Sequence, residues 1–404
     1  MQSEAAVQQK SKQISFVEFV VIISLMMSLT ALSIDGMLPA LPQIGADLGV
    51  QNANDRQLVI STLFLGLALG QLFFGPLSDR TGRKPATYAG FALYMVGAFL
   101  SIFAGNFSMM LAGRMLQGIG ISGPRAIILA IVRDRYSGRA MAQVMSFVTT
   151  VFILVPMFAP AMGQGILMLF DWRAIFVAYV LIGLVTVTWF GLRMPESLDP
   201  QDRSPFSLRR ITTATLEILK NRTAIGYTIS TGLIGGAFLG YLNSAQQIYQ
   251  EQYALGERFA VVFAIISGSI GLASLVNSRL VMRYGMRFLV RWSLRIILGL
   301  AIVGVVVALI FAGQPPLWLL MVYLLLTFFS IGILFGNQNS LAMEPLGHLA
   351  GIGSAIVGSL STLVQMPLGT LIGQEYNGTV LPLILGMAVL SGLSLLIVRW
   401  VEGK

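Results

Sequence analysis

The stretch GPLSDRTGRKP, residues 75–85, places four charged side chains between two long apolar runs. The runs cover residues 57–78 and 85–105, and each is long enough to cross a hydrocarbon core of about 30 Å as an α-helix. Charged side chains enter that core only at a high cost in free energy. The sequence therefore predicts two transmembrane helices joined by a short polar connection at a membrane surface.

Apolar runs of similar length recur along the whole chain. Of its 404 residues, 56% are hydrophobic and only 11% are charged, whereas a soluble domain has roughly 25% charged residues. We predict an all-α polytopic membrane protein with twelve transmembrane helices. The predicted spans are residues 15–39, 57–78, 85–105, 108–132, 140–168, 173–194, 223–247, 257–281, 288–312, 316–341, 350–373 and 380–400.

The positive charges are distributed unevenly between the predicted connections. Of the 26 Lys and Arg residues, 21 lie in the termini and the even-numbered connections, and only Arg56, Arg173 and Arg258 lie on the opposite side. Because cytoplasmic connections carry the excess of Lys and Arg, both termini are expected in the cytoplasm. The net charge of +9 then reflects topology, and no nucleic-acid partner is expected.

The chain divides into two halves of six predicted helices. The longest polar stretch separates them and contains PESLDPQDRSPFSLRR, residues 195–210. We assign residues 1–193 and 223–404 to two pseudo-symmetric six-helix bundles and residues 194–222 to a cytoplasmic linker. A degenerate repeat of the charged stretch, SRLVMRYGMRF at residues 278–288, follows the eighth span. Two equivalent halves are typical of transporters whose substrate site lies between them.

Several motifs resemble those of the major facilitator superfamily. The stretch at residues 75–85 resembles the family's loop motif between helices two and three. LAGRMLQGIGISGPR, residues 111–125, resembles the fourth-helix motif, with Arg114 as its characteristic arginine. PMFAPAMGQ, residues 156–164, resembles the fifth-helix motif of proton-coupled drug antiporters. Together with LSIDGMLPALPQI in the first span and GIGSAIVGSL in the eleventh, the set is similar to the bicyclomycin and chloramphenicol resistance branch.

The resemblance implies the major facilitator fold and a multidrug or small-molecule efflux antiporter driven by protons. It places the chain in the inner membrane of a bacterium. We expect a monomer without a cofactor or a metal, whose partners are protons, the lipid bilayer and a drug-like or polar substrate. A proton-coupled importer, or an exporter of sugars or other metabolites, on the same fold remains an alternative.

Other classes of protein lack support in the sequence. There is no Cys and only one His, and no Ser-His-Asp or metal-ligand spacing is found, so we do not expect an enzyme. The pattern GxxxxGK[ST] is absent, which argues against ATP-driven export by this chain.

Asp35 is the acid in the first span that requires an explanation, because a charged group near the bilayer centre costs about 2.5 to 3.5 kcal/mol. Arg114 lies at a comparable depth in the fourth span, about 9 Å from the start of that helix. An ion pair between them would favour ionised Asp35, whereas desolvation would oppose it. We predict that Asp35 takes up and releases the transported proton as the cavity around it opens and closes.

Asp35 has an alternative role, since Asp is common in turns and Pro39 follows closely. Two helical turns earlier the residue is Met27, so this face of the helix offers a single acid. The simplest stoichiometry is therefore one proton per transport cycle.

The connection at residues 75–85 has the residue types of a conformational switch. Gly75 and Gly82 permit tight turns and close approach of neighbouring backbones. We predict that Asp79 lies against the positive N-terminal end of helix eleven, near residues 350–353, where a carboxylate gains about 0.3 to 1 kcal/mol. Such a contact would hold the cytoplasmic side closed.

A second predicted contact of the switch joins Arg83 to Asp134 at the inner end of the fourth helix. Arg80 belongs to the same charged motif. In the alternative interpretation, Arg80, Arg83 and Lys84 serve only to set the topology.

The fifth span is expected to bend. Pro156 and Pro160 lie four residues apart on one face, and each removes a backbone hydrogen bond. The family resemblance adds Gly163 to the residues of the conformational switch. The match is imperfect, since Ala159 precedes Pro160 where the motif has Gly, and Gln164 separates glycines that are adjacent in the motif.

Polar and aromatic residues within the spans are candidates for a substrate cavity. Arg125 follows Arg114 by eleven residues, so both lie on one stripe of the fourth helix about 16 Å apart. Arg125 either attracts anions into the cavity or extends towards the inner surface. The candidate cavity residues are Met27, Gln71, Arg125, Tyr241, Asn243, Asn337 and Gln365.

Overall fold

A computed structural model describes residues 14–205 and 207–403. Within these residues, twelve helical segments are long and apolar enough to cross a membrane, as the sequence predicts. The α-helices are α1 (Phe16–Asp35), α2 (Leu41–Asp47), α3 (Leu58–Thr81), α4 (Arg83–Ile102), α5 (Phe107–Arg135), α6 (Gly138–Leu167), α7 (Arg173–Arg193), α8 (Leu208–Lys220), α9 (Arg222–Gln246), α10 (Phe259–Tyr284), α11 (Met286–Ile310), α12 (Leu317–Met343), α13 (Ala350–Gln374) and α14 (Leu381–Glu402).

The first span is broken where α1 ends. The N–H group of Gly36 donates to the carbonyl of Leu32 and closes α1 directly after Asp35. A short 3₁₀ helix, Leu38–Ala40, then leads into α2. Pro39 and Pro42 lie in the first turns of these two segments, and proline has no N–H group with which to continue the preceding helix. The break therefore places the Asp35 side chain at a helix end.

Backbone contacts between α3 and α5 set the centre of the first half. Gly66 and Gly118 face each other at the crossing: a Cβ atom at Gly118 would lie 2.1 Å from the Leu63 carbonyl oxygen, and one at Gly66 would lie 2.2 Å from that of Met115. Small residues at such crossings let two membrane helices approach backbone to backbone. The contact holds α5, which carries Arg114, deep in the bundle.

The two halves meet along two pairs of helices, α3 with α13 and α6 with α10. We call the membrane side that holds residues 14 and 403 the terminal side, and the opposite side the far side. At the far side, six polar residues join the two halves and form what we call the far-side cluster: Asn54, Arg56, Gln57, Gln247, Glu251 and Gln374.

Hydrogen bonds between the halves become fewer towards the terminal side. Beyond the far-side cluster, Ser61 bonds to Asn243 and Thr370, and Ser359 donates to the Ala68 carbonyl at 2.6 Å. From there to the terminal side, no hydrogen bond or ion pair joins the transmembrane helices of one half to those of the other in the described ranges. The halves are thus tied together mainly at the far side.

The linker contains a helix that the sequence analysis did not predict. The 13-residue helix α8 begins after Ser207, whose side chain accepts from the N–H of Arg210, and it packs on α9 and α13. Apolar residues every three or four positions form its buried side, which includes Ala214 and Ile218. The linker is therefore an ordered part of the fold on the terminal side.

We expect Gly118→Ala to destabilise the protein, because its Cβ atom would overlap the backbone of α3. Overpacking of this kind costs about 1–3 kcal/mol. The measurement is the thermal unfolding temperature of the detergent-purified protein. The matched control is Gly299→Ala in α11, where nothing lies within 4 Å of the new atom; it should not lower the unfolding temperature. Equal unfolding temperatures for both variants would contradict the close crossing.

Candidate functional site

Asp35 is buried at the end of α1 without a hydrogen-bond partner for its side chain among the described residues. Only 5% of the residue is exposed, and no salt bridge of the described chain includes it. The 3₁₀ helix Leu38–Ala40, which begins three residues after Asp35, contacts α6 of the first half and α9 of the second, so the acid lies near the contact between the halves. The side chain does not cap the turn before Pro39, which removes the structural alternative considered from the sequence.

Arg114 is fully buried beside the end of α1. Its guanidinium donates to the Ser33 carbonyl at 2.6 Å, to the Val59 carbonyl at 3.1 Å and to Oε1 of Gln117 at 2.5 Å. It also lies 5.7 Å from the ring centre of Phe176. One side chain of α5 thus holds the backbones of α1 and α3.

The predicted ion pair between Asp35 and Arg114 is absent from the structure. The two residues do lie at similar depth, since Arg114 binds the carbonyl two residues before Asp35. Three nitrogen atoms of the Arg114 guanidinium already donate to backbone and amide oxygens instead of to a carboxylate. The two charged groups are therefore neighbours held by one helix end and are not in contact.

Tyrosine hydroxyls hold the last turn of α1 from two sides. The Tyr179 hydroxyl donates to the Leu32 carbonyl at 2.7 Å, and the Tyr94 hydroxyl lies 2.8 Å from the Ser33 hydroxyl. The sequence analysis did not identify Tyr179, because an aromatic residue in the sixth span cannot be distinguished by its position from one that only packs between helices. Together with Arg114, these side chains fix the direction in which Asp35 leaves the helix.

The residues predicted from the fifth-helix motif lie against the same break. Pro156 and Pro160 are inside α6, which continues past both. Gly163 contacts Gly36 so closely that a Cβ atom at Gly163 would lie 1.8 Å from the Gly36 carbonyl oxygen. The glycine is thus needed for α6 to approach the backbone that follows Asp35. Its part in a conformational change remains a prediction.

Three of the predicted cavity residues lie near the contact between the halves. Asn243 of α9 donates to the Ser61 hydroxyl and to the Gly369 carbonyl, while its Oδ1 atom has no partner in the described chain. Gln71 of α3 lies against Gly358. Tyr241 is buried and stacks with the ring of Phe263. Of these residues, Asn243 and Gln71 lie where α3 of the first half meets the second half.

The remaining cavity candidates are more scattered. Asn337 bonds to Asn277 at 2.8 Å and to the Ile333 carbonyl, so it joins α12 to α10 within the second half. It is a helix-packing residue here, and the cavity prediction for it is not supported. Met27 is half-buried, Gln365 lies against Gly235 of α9, and Arg125 is exposed. Helical spacing alone cannot separate a cavity wall from a helix contact.

The switch connection is organised around Arg83. This arginine is 3% exposed and donates to Asp79 at 2.6 Å, to Asp134 at 2.9 Å and to the Ser78 hydroxyl at 2.9 Å. The predicted contact between Arg83 and Asp134 is confirmed. Arg80 is exposed. The cluster joins the end of α3, the start of α4 and the end of α5.

Asp79 does not lie at the start of helix eleven, contrary to the prediction. It forms an ion pair with Arg83, which lies four residues later in the same half of the protein. The approach of α3 to α13 ends near Gly75, where an added Cβ atom would lie 3.8 Å from Ala355, and nothing lies within 4 Å of such an atom at Gly351. Among the described contacts, the Asp79 carboxylate bonds to Arg83 and makes no hydrogen bond to the start of α13.

Glu196 of the linker caps α4, a role that sequence reasoning missed. Its carboxylate accepts from the backbone N–H groups of Arg83 at 2.8 Å and Lys84 at 3.0 Å, and also from those of Ser197 and Leu198. Burial opposes ionisation of Glu196, but these four hydrogen bonds outweigh it and lower the pKa of the carboxyl. The sequence PES at the start of the linker, residues 195–197, gave no specific signal for this contact.

The linker holds the switch connection at two more points. The Ser197 hydroxyl donates to Asp134 at 3.0 Å, and the backbone N–H of Ser204 donates to the Asp79 carbonyl at 3.0 Å. Gly82 turns between them with a φ of +105°. A Cβ atom there would lie 2.6 Å from the Glu196 carboxylate, so glycine is required on both grounds.

Comparisons with known proteins agree with this architecture. A family model described as Major Facilitator Superfamily matches residues 23–369. The chain is 31% identical to an uncharacterized MFS-type transporter, YdgK, of Bacillus subtilis, over 85% of each protein. It is 27% identical to a bicyclomycin resistance protein homolog of Haemophilus influenzae over 96% of each, and 30% identical to the multidrug resistance protein MdtL of Salmonella typhi over 80% of each. These relatives confirm the predicted branch.

Two solved structures share the fold at low sequence identity. A D-xylose-proton symporter has a TM-score of 0.75 at 14% identity, with 95% of this chain and 97% of that chain covered. The human organic anion transporter MFSD10 has a TM-score of 0.71 at 16% identity, with 95% and 99% covered. At this identity the likeness shows the fold alone.

We expect Glu196→Gln to loosen the start of α4, because the amide accepts hydrogen bonds less strongly than the carboxylate does. Loss of a helix cap costs about 0.5–2 kcal/mol. Hydrogen exchange at neutral pH should show faster exchange at Arg83 and Lys84. The control is Glu257→Gln, an exposed acid at the far side, which should leave that exchange unchanged.

The same variant should reveal the pH dependence of the contact. The pKa of Glu196 is lowered from 4.5, so its stabilising effect is complete above that pH and is lost as the pH falls through the lower folded-state value. The difference in unfolding temperature between wild type and Glu196→Gln should therefore shrink in acid. A constant difference down to acid pH would contradict the charged cap.

Proposed function

Because the chain belongs to the major facilitator superfamily, we propose that it is a proton-coupled efflux antiporter for drug-like or polar small molecules. The direction of transport is supported by the relatives whose names refer to bicyclomycin resistance and multidrug resistance. The positive charges on the terminal side support a cytoplasmic location for both termini. The proposed location is the inner membrane of a bacterium.

The observation that carries the proposal is the buried Asp35 without a partner. Burial disfavours the ionised form of an isolated carboxylate, whereas water, a cation or a hydrogen-bond donor that reaches the group favours it. Asp35 lies at a helix break, and the 3₁₀ helix that follows it contacts both α6 of the first half and α9 of the second. Relative movement of the halves therefore changes its surroundings and its proton affinity.

We propose an alternating-access cycle around this acid. In the described conformation the far-side cluster closes the far side, and the helices are less connected at the terminal side. Here Asp35 releases its proton to the cytoplasm and substrate enters from the same side. After the halves rock, substrate leaves at the far side and Asp35 takes up a proton from the more acidic compartment.

Arg114 provides a fixed positive charge in this proposal. Its three acceptors hold the guanidinium at the end of α1, so its position relative to Asp35 changes little while the second half moves. We assign it a positioning role: it keeps the last turn of α1 in place and stabilises the ionised acid once the cavity is wet.

A single acid limits the energy that one cycle can use. With one proton exchanged for one monovalent cation, transport is electroneutral and is driven only by the pH gradient, at about 1.4 kcal/mol per pH unit. Export of a neutral compound also draws on the membrane potential, at about 2.3 kcal/mol per 100 mV.

A proton-coupled importer, or an exporter of sugars or other metabolites, is the competing function on the same fold. Collapse of the proton gradient distinguishes import from export: the substrate of an exporter should accumulate in cells, and that of an importer should decline. A panel of antimicrobial compounds tested on cells with and without the chain separates drug export from metabolite export.

We expect Asp35→Asn to abolish proton-coupled transport while the protein still folds. The amide is similar in shape but cannot carry the proton. The measurement is substrate-driven proton movement in proteoliposomes, together with the drug susceptibility of cells that produce the variant. The matched control is Asp55→Asn, an acid in the far-side connection, which should keep coupling. Full coupling in Asp35→Asn would refute the role of Asp35.

We expect Asn54→Ala to open the far side more often. Its amide group donates to the carbonyls of Gln374 and Tyr376, and its carbonyl accepts from Gln247. Each such bond contributes about 0.5–1.5 kcal/mol, so loss of the three should raise the open population at least tenfold. The readout is the labelling rate of Gln365→Cys by a membrane-impermeant maleimide added at the far side.

The chain has no native cysteine, so the label reports one position. Gln51→Ala is the control, because that exposed side chain bonds only to the neighbouring Gly49 carbonyl among the described contacts. Labelling at the same rate in Asn54→Ala and Gln51→Ala would show that the cluster does not close the far side.

A further inference from the structure

Helix α8 of the linker has an apolar face that the rest of the described chain does not cover. Ala214 and Ile218 are buried against the second half. On the other side of the helix, Leu208, Leu216 and Leu219 are 62%, 55% and 46% exposed. An exposed row of leucines on a short helix indicates a surface that meets another apolar phase.

Cationic side chains lie directly beside this face. At 100° per residue, Arg209 and Lys220 follow Leu216 around the helix, and both are exposed. Glu217 lies 60° beyond Lys220, at the border between the outward and the buried side, and bonds to His348 at 2.7 Å. The outward side of α8 therefore combines leucines with positive charge, and the single acid of the helix lies at its border in contact with His348, which is the pattern of a helix that lies in a membrane interface.

The position of α8 in the chain places it at the membrane surface. It ends at Lys220, and Asn221 caps α9, whose membrane span begins at Arg222. The guanidinium of Arg222 lies 4.9 Å from the ring centre of Trp400. Tryptophan and arginine are typical of the level at which lipid headgroups meet the hydrocarbon core. The C-terminal end of α8 is thus held at headgroup depth.

We propose that α8 binds anionic phospholipids of the leaflet on the terminal side. Leu208, Leu216 and Leu219 enter the boundary between headgroups and acyl chains, and Arg209 and Lys220 bind phosphate groups. Charge complementarity with an anionic leaflet and the direct continuity with α9 favour the bilayer over a protein partner. Only the assignment of that leaflet to the cytoplasmic side rests on the proposed function.

The test uses the full-length protein in nanodiscs of phosphatidylcholine alone or mixed with phosphatidylglycerol. An environment-sensitive fluorophore is attached at Leu219→Cys, in a chain that otherwise lacks cysteine. Nitroxide-labelled lipids then report its depth. The matched control is Thr213→Cys, an exposed position on the polar side of the same helix. Both leaflets have the same composition, so the result does not depend on transport or on orientation.

We expect quenching by nitroxide lipids at position 219 in the anionic nanodiscs, with much less at position 213. Arg209→Gln and Lys220→Gln should each lower the ratio of docked to undocked helix about fivefold. High salt should have the same effect on the wild-type helix, which provides a measurement that needs no charge variant.

Three results would overturn the proposal. Equal quenching at positions 213 and 219 would show that the leucine face does not enter the lipid. Quenching that is independent of phosphatidylglycerol and salt would show apolar contact without recognition of anionic lipid. Loss of the effect on addition of inorganic phosphate, at constant ionic strength, would show a site for free anions. Failure of Asp35→Asn to impair transport would leave this test unaffected.

Discussion

The geometry around the buried acid depends on one guanidinium that has hydrogen-bond acceptors but no carboxylate partner in the described chain. Arg114 ties the backbone of α1 to that of α3 through the carbonyls of Ser33 and Val59. A buried cation is expensive unless its donors are satisfied, so these carbonyls cannot move away without a large cost. The last turn of α1 is fixed by that requirement, and with it the depth of Asp35.

This arrangement explains why the acid and the base are close without touching. A direct ion pair would neutralise both groups, and a buried pair of this kind is costly to break. With Arg114 satisfied by neutral oxygens, the acid keeps no strong partner. An acid without a strong partner can respond to water and substrate, which is the property that the proposed coupling role requires. The backbone that follows Asp35 is held just as closely, because Gly36 packs directly against Gly163 of α6.

The sequence predicted the fold well because its main determinants are local. Apolar length, the charges at residues 75–85 and the distribution of Lys and Arg require no knowledge of tertiary contacts. The depths of Asp35 and Arg114 followed from helical rise alone, but rise does not reveal which acceptors compete for a guanidinium. The similar depth of Asp35 and Arg114 was therefore predicted correctly, but the ion pair considered between them does not form. The prediction that Asn337 lines the cavity is unsupported for a related reason, since residue spacing cannot distinguish a helix contact from a cavity wall.

The structure of the linker also could not be predicted from the sequence. Its prolines and alternating charges indicated an irregular connection, and the apolar spacing of α8 is too short to stand out beside twelve membrane spans. Its contacts nevertheless connect the two halves. Glu196 and Ser204 bind the switch connection of the first half, while Glu217 and Ile218 of α8 lie on the second.

The Glu196 cap belongs to the first half and the Glu217–His348 contact of α8 to the second, so separation of the halves at the terminal side would move these two linker contacts apart. Far-side opening requires the loss of several hydrogen bonds at once. In the proposed alternating-access cycle, the equilibrium would therefore depend on both ends of the molecule, because the linker binds to both halves and limits how far they can separate.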